Sequence, residues 1–321
     1  MLDLKKHDAE AVCLDPAKFR DPRITAKGEE RAVVALTQLK TLWFNTGSLC
    51  NITCKNCYMD SSPKNDSLAY LSLNDVCRYL DEIGHQSYPV SEIAFTGGEP
   101  FMNRDLLDML GESLGRGYRA LVLTNAMKPL LIKRRHLVDI QLRHGHALML
   151  RVSIDGHEPK KHETIRGAET WRPMITGLRW LAENGFNLAI AGRTCWGETE
   201  EMTRQGYAAM FAAEGIDIDA CDPDRLLLFP EMNALLDVPE ITVNCWDILG
   251  IKPETIMCAT SRMVAKRKGA DSPVVVPCTL LPYDTAFELG ADLANSAASV
   301  SLNHPHCAKF CVLGGASCST N

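Results

Sequence analysis

At 321 residues and 46% hydrophobic composition the chain is long enough for one large domain, or for a main domain with a small companion. A formal net charge of −6 and a pI near 5.9 leave no electrostatic footprint for nucleic acid or an anionic membrane surface. No apolar run approaches the ~20 residues of a membrane span and MLDLKKHDAEAV lacks the apolar core of a signal peptide, so the expected compartment is the cytoplasm; there, thirteen cysteines argue for metal centres over disulfides.

Residues 1–40 show weak periodicity and several charges and read as an irregular arm or short helix. QLKTLWFNTGSLC is then a strand ending in a loop, and SLNDVCRYLDEIG a helix with Ser72 as N-cap and Gly84 as its stop. The alternation continues with a strand over SEIAFTGGEP, a helix over NRDLLDMLGESLGRG capped by Asn103, a strand over RALVLTNAM and a helix over PLLIKRRHLVDIQLRHG. LMLRVSIDG, NLAIAGRT and RLLLFPE are the next strands, separated by helices over WRPMITGLRWLAENG and EEMTRQGYAAMFAAEG. Six such repeats imply an α/β fold with a parallel sheet covered by helices. Cys50, Gly97, Asn125, Ser153, Asp155, Arg193 and Glu231 all fall at or just beyond the C-terminal ends of successive strands. In a barrel those positions converge on one mouth, whereas strands at opposite edges of an open sheet would not meet.

Cys50, Cys54 and Cys57 stand at C-x3-C-x2-C in CNITCKNCY. Thiolate is the ligand of zinc and of iron–sulfur clusters, but structural zinc closes four positions, usually from two C-x2-C pairs. A cubane held by three thiolates keeps one iron without a protein ligand; the alternative is three cysteines packed as small hydrophobes. Gly97-Gly98-Glu99-Pro100 ends the next strand, and two glycines there let backbone approach a ligand with no Cβ in the way, although the same residues also suit an ordinary strand-to-loop turn. Asn125, Ser153 and Asp155 offer polar groups suited to hydroxyls or an amino-acid moiety. Arg193 ends an apolar run, where a charge is costly unless it faces a polar mouth or a partner, which makes it a candidate cofactor or substrate ligand. Glu231 lies near the same mouth.

From about residue 236 the alternation stops. Cys258 and Cys278 flank two strand-like runs joined by a polar turn at Lys268-Gly269-Ala270-Asp271, and a hairpin there brings both thiols together. A helix is expected over YDTAFELGADLANSAA, followed by Cys307, Cys311 and Cys318 on a Gly-rich run. Thiolates from these two segments can ligate a second centre, iron–sulfur or zinc. Cys13, Cys77, Cys195, Cys221 and Cys245 are scattered and read as buried or free thiols.

CNITCKNCY resembles the cluster loop of the radical S-adenosylmethionine (radical SAM) superfamily, whose pattern is C-x3-C-x-aromatic-C. Asn56 stands where that pattern has its aromatic residue, so the packing of a ring against adenine falls to Tyr58 or another part of the chain. The GGEP stretch resembles the family motif that meets the methionyl amino group of S-adenosylmethionine, which implies Gly97, Gly98, Glu99 and Pro100 in cofactor binding. LRVSIDGHEPKKHETIRG is similar to the family's VSIDG…RG stretch, where Ser153 and Asp155 would hold the ribose and Arg166 the carboxylate; Asn125 and Arg193, read from their strand-end positions, join them as candidate cofactor ligands. The tail resembles twitch or SPASM extensions, which implies an auxiliary [4Fe–4S] cluster on Cys258, Cys278, Cys307, Cys311 and Cys318, one cluster rather than two because CAKFCVLGGASC falls short of C-x2-C-x5-C-x3-C.

The resemblance implies a partial (β/α)6 barrel, a partial TIM barrel, over residues 41–235, preceded by an arm over 1–40 and followed by a small cysteine-rich α+β extension over 236–321. The implied activity is reductive cleavage of S-adenosylmethionine and hydrogen abstraction from a substrate, supplied with electrons by a flavodoxin- or ferredoxin-type donor. A small-molecule substrate is the first expectation, since residues 1–40 are short for a separate peptide-recognition domain. A RiPP-type peptide or protein maturase is the second. A non-catalytic iron–sulfur or zinc-binding protein is the third, disfavoured by GGEP and the strand-end polar set.

Overall fold

The alternation is realised as an eight-stranded sheet in the computed structural model, which describes residues 12–318. After a two-residue strand β1 (Val33–Val34) come β2 (Thr41–Asn45), β3 (Glu92–Thr96), β4 (Arg119–Thr124), β5 (Leu148–Ser153), β6 (Asn187–Arg193) and β7 (Leu226–Phe229). These last six lie side by side in chain order with every neighbouring pair parallel. Helices α1 (Leu73–Gln86), α2 (Leu106–Gly115), α3 (Lys128–Ile132), α4 (Arg134–His144), α5 (Pro159–Arg166), α6 (Trp171–Glu183) and α7 (Glu200–Glu214) make the crossovers. β7 is an open edge, so the sheet is a partial barrel.

Local chemistry sets the boundaries. Ser72 caps α1 in a capping box, its hydroxyl accepting from the Asp75 N–H at 3.2 Å while the Asp75 carboxylate accepts from the Ser72 N–H at 2.9 Å, worth about 1 kcal/mol. α1 runs past Gly84 and ends at Ser87, which takes the left-handed conformation with φ 53°. Asn103 is not the N-cap of α2, a position that Asp105 takes. Its oxygen accepts from the Asp105 N–H at 2.9 Å and its nitrogen donates to the carbonyls of Thr46 and Leu71 at 3.2 and 2.9 Å, tying the entry of α2 to the loop after β2. The single helix expected after β4 is divided at Lys133 into α3 and α4.

The C-terminal part departs further from expectation. After α8 (Cys245–Leu249), β8 (Ser261–Ala265) and β9 (Val274–Val276) form the antiparallel hairpin, but β8 also pairs in parallel with β2, from Thr41↔Ser261 to Phe44↔Val264. The hairpin therefore continues the main sheet. No α-helix forms over 283–298. The Asp284 and Asp292 carboxylates accept from the N–H groups of Ala286 and Asn295 at 2.9 and 2.8 Å, closing the short 3-10 turns Thr285–Phe287 and Asn295–Ala297. Such side-chain bonds compete with a helix, and between them Leu289 and Gly290 bond the backbone of Val275 instead. β1 pairs antiparallel with β10 (Val300–Ser301), so the described part of the arm is extended and docks on the tail; its first eleven residues lie outside the described residues.

The two faces of the sheet bury different material. Leu42, Phe44, Ile93, Phe95, Val122, Leu150, Val152, Leu188 and Ile190 face the helices. Their alternates Trp43, Ala94, Leu121, Met149, Leu227 and Phe229 face the inside, which is filled by Met257, Leu280, Phe310, Val312 and other residues of the tail. No helix among the described residues is long and apolar enough to cross a membrane.

Candidate functional site

The loop leaving β2 is fixed by hydrogen bonds before it reaches its first cysteine. The Asn45 carboxamide oxygen accepts from the Gly47 N–H at 3.0 Å, the Thr46 hydroxyl donates to the Thr96 carbonyl at 2.9 Å, and the Cys50 N–H donates to the Ser62 carbonyl at 3.1 Å. Further on, the Lys55 N–H donates to the Ile165 carbonyl of α5 at 2.7 Å, and Asn56 turns the chain with φ 49°. This brings the thiols of Cys50, Cys54 and Cys57 to one cavity, whose other walls include Tyr58, Gly97, Gly98, Asn125, Ser153, Arg166 and Arg193. Burial pushes the Cys50 thiol up to about 12 and raises that of Cys54. Ligating thiols must be deprotonated, so burial keeps both protonated until a cation takes the proton's place.

Gly97 and Gly98 border this cavity, but their backs decide why nothing larger fits. A Cβ on Gly98 would stand 2.1 Å from the Leu49 carbonyl oxygen, and one on Gly97, at φ +135°, would stand 2.5 Å from that of Gly47. The turn thus packs directly against the backbone that carries Cys50. Glu99 and Pro100 lie behind the cavity. The Glu99 carboxylate accepts from the Thr124 hydroxyl at 2.9 Å and from the N–H groups of Asn125 and Phe101 at 2.8 and 3.2 Å; burial pushes its pKa up to about 7 against these bonds. Asn125 in turn donates to the Asn51 side chain at 2.9 Å and approaches the Cys50 sulfur at 3.9 Å.

A buried charge network closes the mouth. Asp155 pairs with Arg166 at 2.7 Å and Arg193 at 3.1 Å. Burial alone would raise the Asp155 pKa, but the two guanidiniums outweigh it and hold the carboxyl below its usual range. The Arg193 guanidinium lies over the Tyr58 ring at 4.4 Å and reaches Glu231 at 4.0 Å. Glu231 also accepts from Asn56, and the Tyr58 hydroxyl donates to the Pro230 carbonyl at 2.8 Å. The position lacking the family's aromatic residue is therefore used to tie the loop to the end of β7.

A second cavity shares Tyr58, Met59, Thr96, Leu123, Ser153 and Arg166 with the first and continues past Asp155 to Arg151, Phe229, Thr279, Leu280 and Cys318. Behind it lie the tail cysteines. Cys258 and Cys278 sit at the two ends of the hairpin, and Cys307 and Cys311 on a π-helical turn, Cys307–Val312. Burial first, and then the neighbouring thiols, push Cys278 up to about 12 and raise Cys307 and Cys311 well above the ordinary value, with Cys311 influenced by all four others. Among the described residues, no three histidine, cysteine or carboxylate side chains are drawn together as a ready single-ion site. All thirteen cysteines are free thiols.

Sequence reasoning brings out most of the first cavity and leaves out Met59, Ser61, Thr96, Leu123 and Thr124, and in the second it leaves out Arg151. The first five carry no signal of their own. Arg151 does, since a charge inside LMLRVS is as costly as the one that singles out Arg193.

Residues 44–203 match the radical SAM superfamily. The chain is 27% identical over 142 residues to the AdoMet-dependent heme synthase of Oleidesulfovibrio alaskensis (44% of this chain, 34% of that protein). It is 22% identical over 143 residues to the antilisterial bacteriocin subtilosin biosynthesis protein AlbA of Bacillus subtilis (44% and 30%), and 27% over 139 residues to the GTP 3',8-cyclase of Tolumonas auensis (43% and 39%). The match spans 30–39% of the length of these relatives. In fold, the chain resembles Streptococcus suis SuiB bound to S-adenosylmethionine (TM-score 0.58, 12% identity, 79% of this chain and 64% of that one) and anSMEcpe with bound AdoMet (0.56, 14%, 80% and 79%). With the cysteine loop, the GGEP turn and the open parallel sheet in place, the chain belongs to the radical SAM superfamily.

Proposed function

We propose that the chain is an enzyme that holds a [4Fe–4S] cluster on Cys50, Cys54 and Cys57 and binds S-adenosylmethionine in the cavity those thiols line. The observation that carries this reading is the shared wall: three thiols, two glycines without room for a Cβ, and the polar ends of three further strands meet in one place. The donor set fits, because three thiols leave one iron for the cofactor. When bound, the pair supplies one-electron cleavage of S-adenosylmethionine to methionine and a 5′-deoxyadenosyl radical that abstracts hydrogen from a C–H bond. The protein's share is binding and exclusion. Gly97 and Gly98 admit the methionyl end, Asn125 and Ser153 meet its polar groups, and Arg166, already oriented by Asp155, is the cation for its carboxylate. Tyr58 walls the cofactor cavity from the tail.

We assign the second cavity to substrate, and four of Cys258, Cys278, Cys307, Cys311 and Cys318 to an auxiliary [4Fe–4S] cluster that takes up an electron or binds substrate across it. Residues 41–235 are then the barrel and 236–321 the extension, with a flavodoxin- or ferredoxin-type donor in the cytoplasm supplying the electron. A small molecule suits a cavity lined by so few residues. A peptide is the second reading, favoured by the similarity to AlbA and by the fold shared with SuiB, also solved bound to precursor peptide SuiA (TM-score 0.58, 12% identity); conversion in vitro of a short peptide encoded beside the gene would decide for it.

The test is anaerobic reconstitution, with about eight irons per chain expected from two cubanes. Replacing Cys50, Cys54 and Cys57 by Ala should remove about half the iron and all formation of 5′-deoxyadenosine; cleavage that persists overturns the cofactor assignment. Cys278→Ala should leave cleavage largely intact and stop product formation, with circular dichroism on the same sample because metal binding and folding are coupled. Zinc in the tail would overturn the auxiliary cluster.

A further inference from the structure

Among the described residues, four arginines are buried to 2% exposure or less: Arg31, Arg151, Arg193 and Arg262. Three of them are answered in full or by an ion pair. Arg31 pairs with Glu240 at 2.5 Å and donates to the carbonyls of Asp21, Ile24 and Leu302. Arg262 spreads its donors over the carbonyls of Ser296, Cys258, Ser261 and Ala298, and Arg193 pairs with Asp155. Arg151 is different. It makes one hydrogen bond, to the Cys318 carbonyl at 2.6 Å, and its Nε and Nη2 have no partner.

A guanidinium stays charged in a protein, and burying one with open donors is costly. The two open nitrogens lie on one edge of the guanidinium, where their parallel N–H groups form the fork that takes both oxygens of a carboxylate. Arg151 lines the second cavity together with Ser153 and Cys318, and the cavity's other walls include the apolar side chains of Leu123, Phe229 and Leu280. Arg166 and Asp155 line the same cavity but answer one another, so the open fork of Arg151 beside the apolar walls selects an anion carried on an apolar body.

We infer that Arg151 anchors a carboxylate of the substrate, seated between the Cys50–Cys57 loop and the tail. This rests on the reading of the first cavity as the cofactor site, since that is what makes its neighbour the substrate cavity.

The probes are benzoate and benzamide, which share a ring but differ in the carboxylate. Iron content and S-adenosylmethionine binding are checked first on reconstituted full-length protein: protein that takes up neither overturns the cofactor reading, whereas protein that takes up both tests this one. On that protein, with S-adenosylmethionine bound, benzoate should raise the melting temperature in a dose-dependent way and benzamide should not. Arg151→Met, similar in reach but uncharged, should abolish the benzoate shift while its own melting temperature equals or exceeds the wild type's, because a buried cation with open donors has been removed. Arg151→Lys, which offers a point charge without the fork, should bind benzoate on the order of tenfold more weakly, and it decides the matter if the methionine variant does not fold. Equal shifts by the two probes, an unchanged benzoate affinity in either variant, or benzoate binding that S-adenosylmethionine abolishes would each overturn the proposal, the last by giving the arginine to the cofactor's own carboxylate.

Discussion

The outer and inner faces of the sheet are built by different rules. Outside, Leu42, Phe95, Val122, Leu150 and Ile190 meet the apolar stripes of the covering helices, and the layer is a continuous aliphatic core. Inside, the same strands present Trp43, Met149 and Arg151 to a tail made of short turns, a hairpin and five cysteines. The outer layer is assembled from segments next to each other in sequence, which favours regular periodicity. The inner layer joins residues far apart in sequence, as Tyr58 with Pro230, 172 positions on, and Arg151 with Cys318, 167 positions on, do. Stability is concentrated in the first layer, and chemistry in the second.

The sharpest way to break that division is at the mouth. Asp155→Ala leaves Arg166 and Arg193 buried without their shared carboxylate, and removing one partner from a buried pair costs about 3–5 kcal/mol, so the inner layer would lose stability as well as cofactor affinity. Urea unfolding of the apoprotein gives the first quantity, and S-adenosylmethionine binding to the loaded protein the second. The pH dependence has a definite sign. Because the folded Asp155 pKa lies below its unfolded value near 3.8, its contribution is fully present above about pH 4 and is lost as pH falls through the folded pKa. The wild type should therefore lose its stability advantage over Asp155→Ala below pH 4; an advantage that persisted undiminished to pH 2 would mean the carboxylate is not ionised in the fold.

The matched substitution on the outer face is Leu150→Ala. Its side chain is fully buried against the helices, and deleting it should cost about 2–5 kcal/mol. Iron per folded molecule should not change. A folded Leu150→Ala protein that failed to retain iron would show that the outer packing also sets the spacing of the cysteine loop.

What could be read from the sequence follows the same division. The six parallel strands, the Ser72 cap and the convergence of Cys50, Gly97, Asn125 and Ser153 are all legible, because each rests on local periodicity, a short motif, or the rule that strand ends meet in a barrel. Gly98 is legible as a close approach but not for its partner, the Leu49 carbonyl, since packing of one loop on another leaves no spacing signal. The pairing of β8 with β2 is not legible, because a strand's own residues do not name its neighbour. The segment after Cys278 looks helical in its apolar pattern, and Asp284, Gly290 and Asp292 override that pattern through turns and a backbone bond to Val275.

The smallest expected effect tests the seam between the two layers' chemistry. Tyr58 directly follows a proposed cluster ligand, Phe310 directly precedes a tail cysteine, and their rings meet edge to face at 5.8 Å. The Tyr58 hydroxyl adds a bond to the Pro230 carbonyl, beside Phe229, which also packs on Phe310. Tyr58→Phe keeps the rings and the Arg193 stacking and removes only that bond, so the loss should be about 1 kcal/mol with iron content unchanged. Tyr58→Ala removes the wall itself, opening the cofactor cavity towards the tail; its iron should be released faster to a chelator than that of Tyr58→Phe. If the two variants release iron at the same rate, the ring does not separate the two cavities, and the hydroxyl's tie to the end of β7 is what holds the loop.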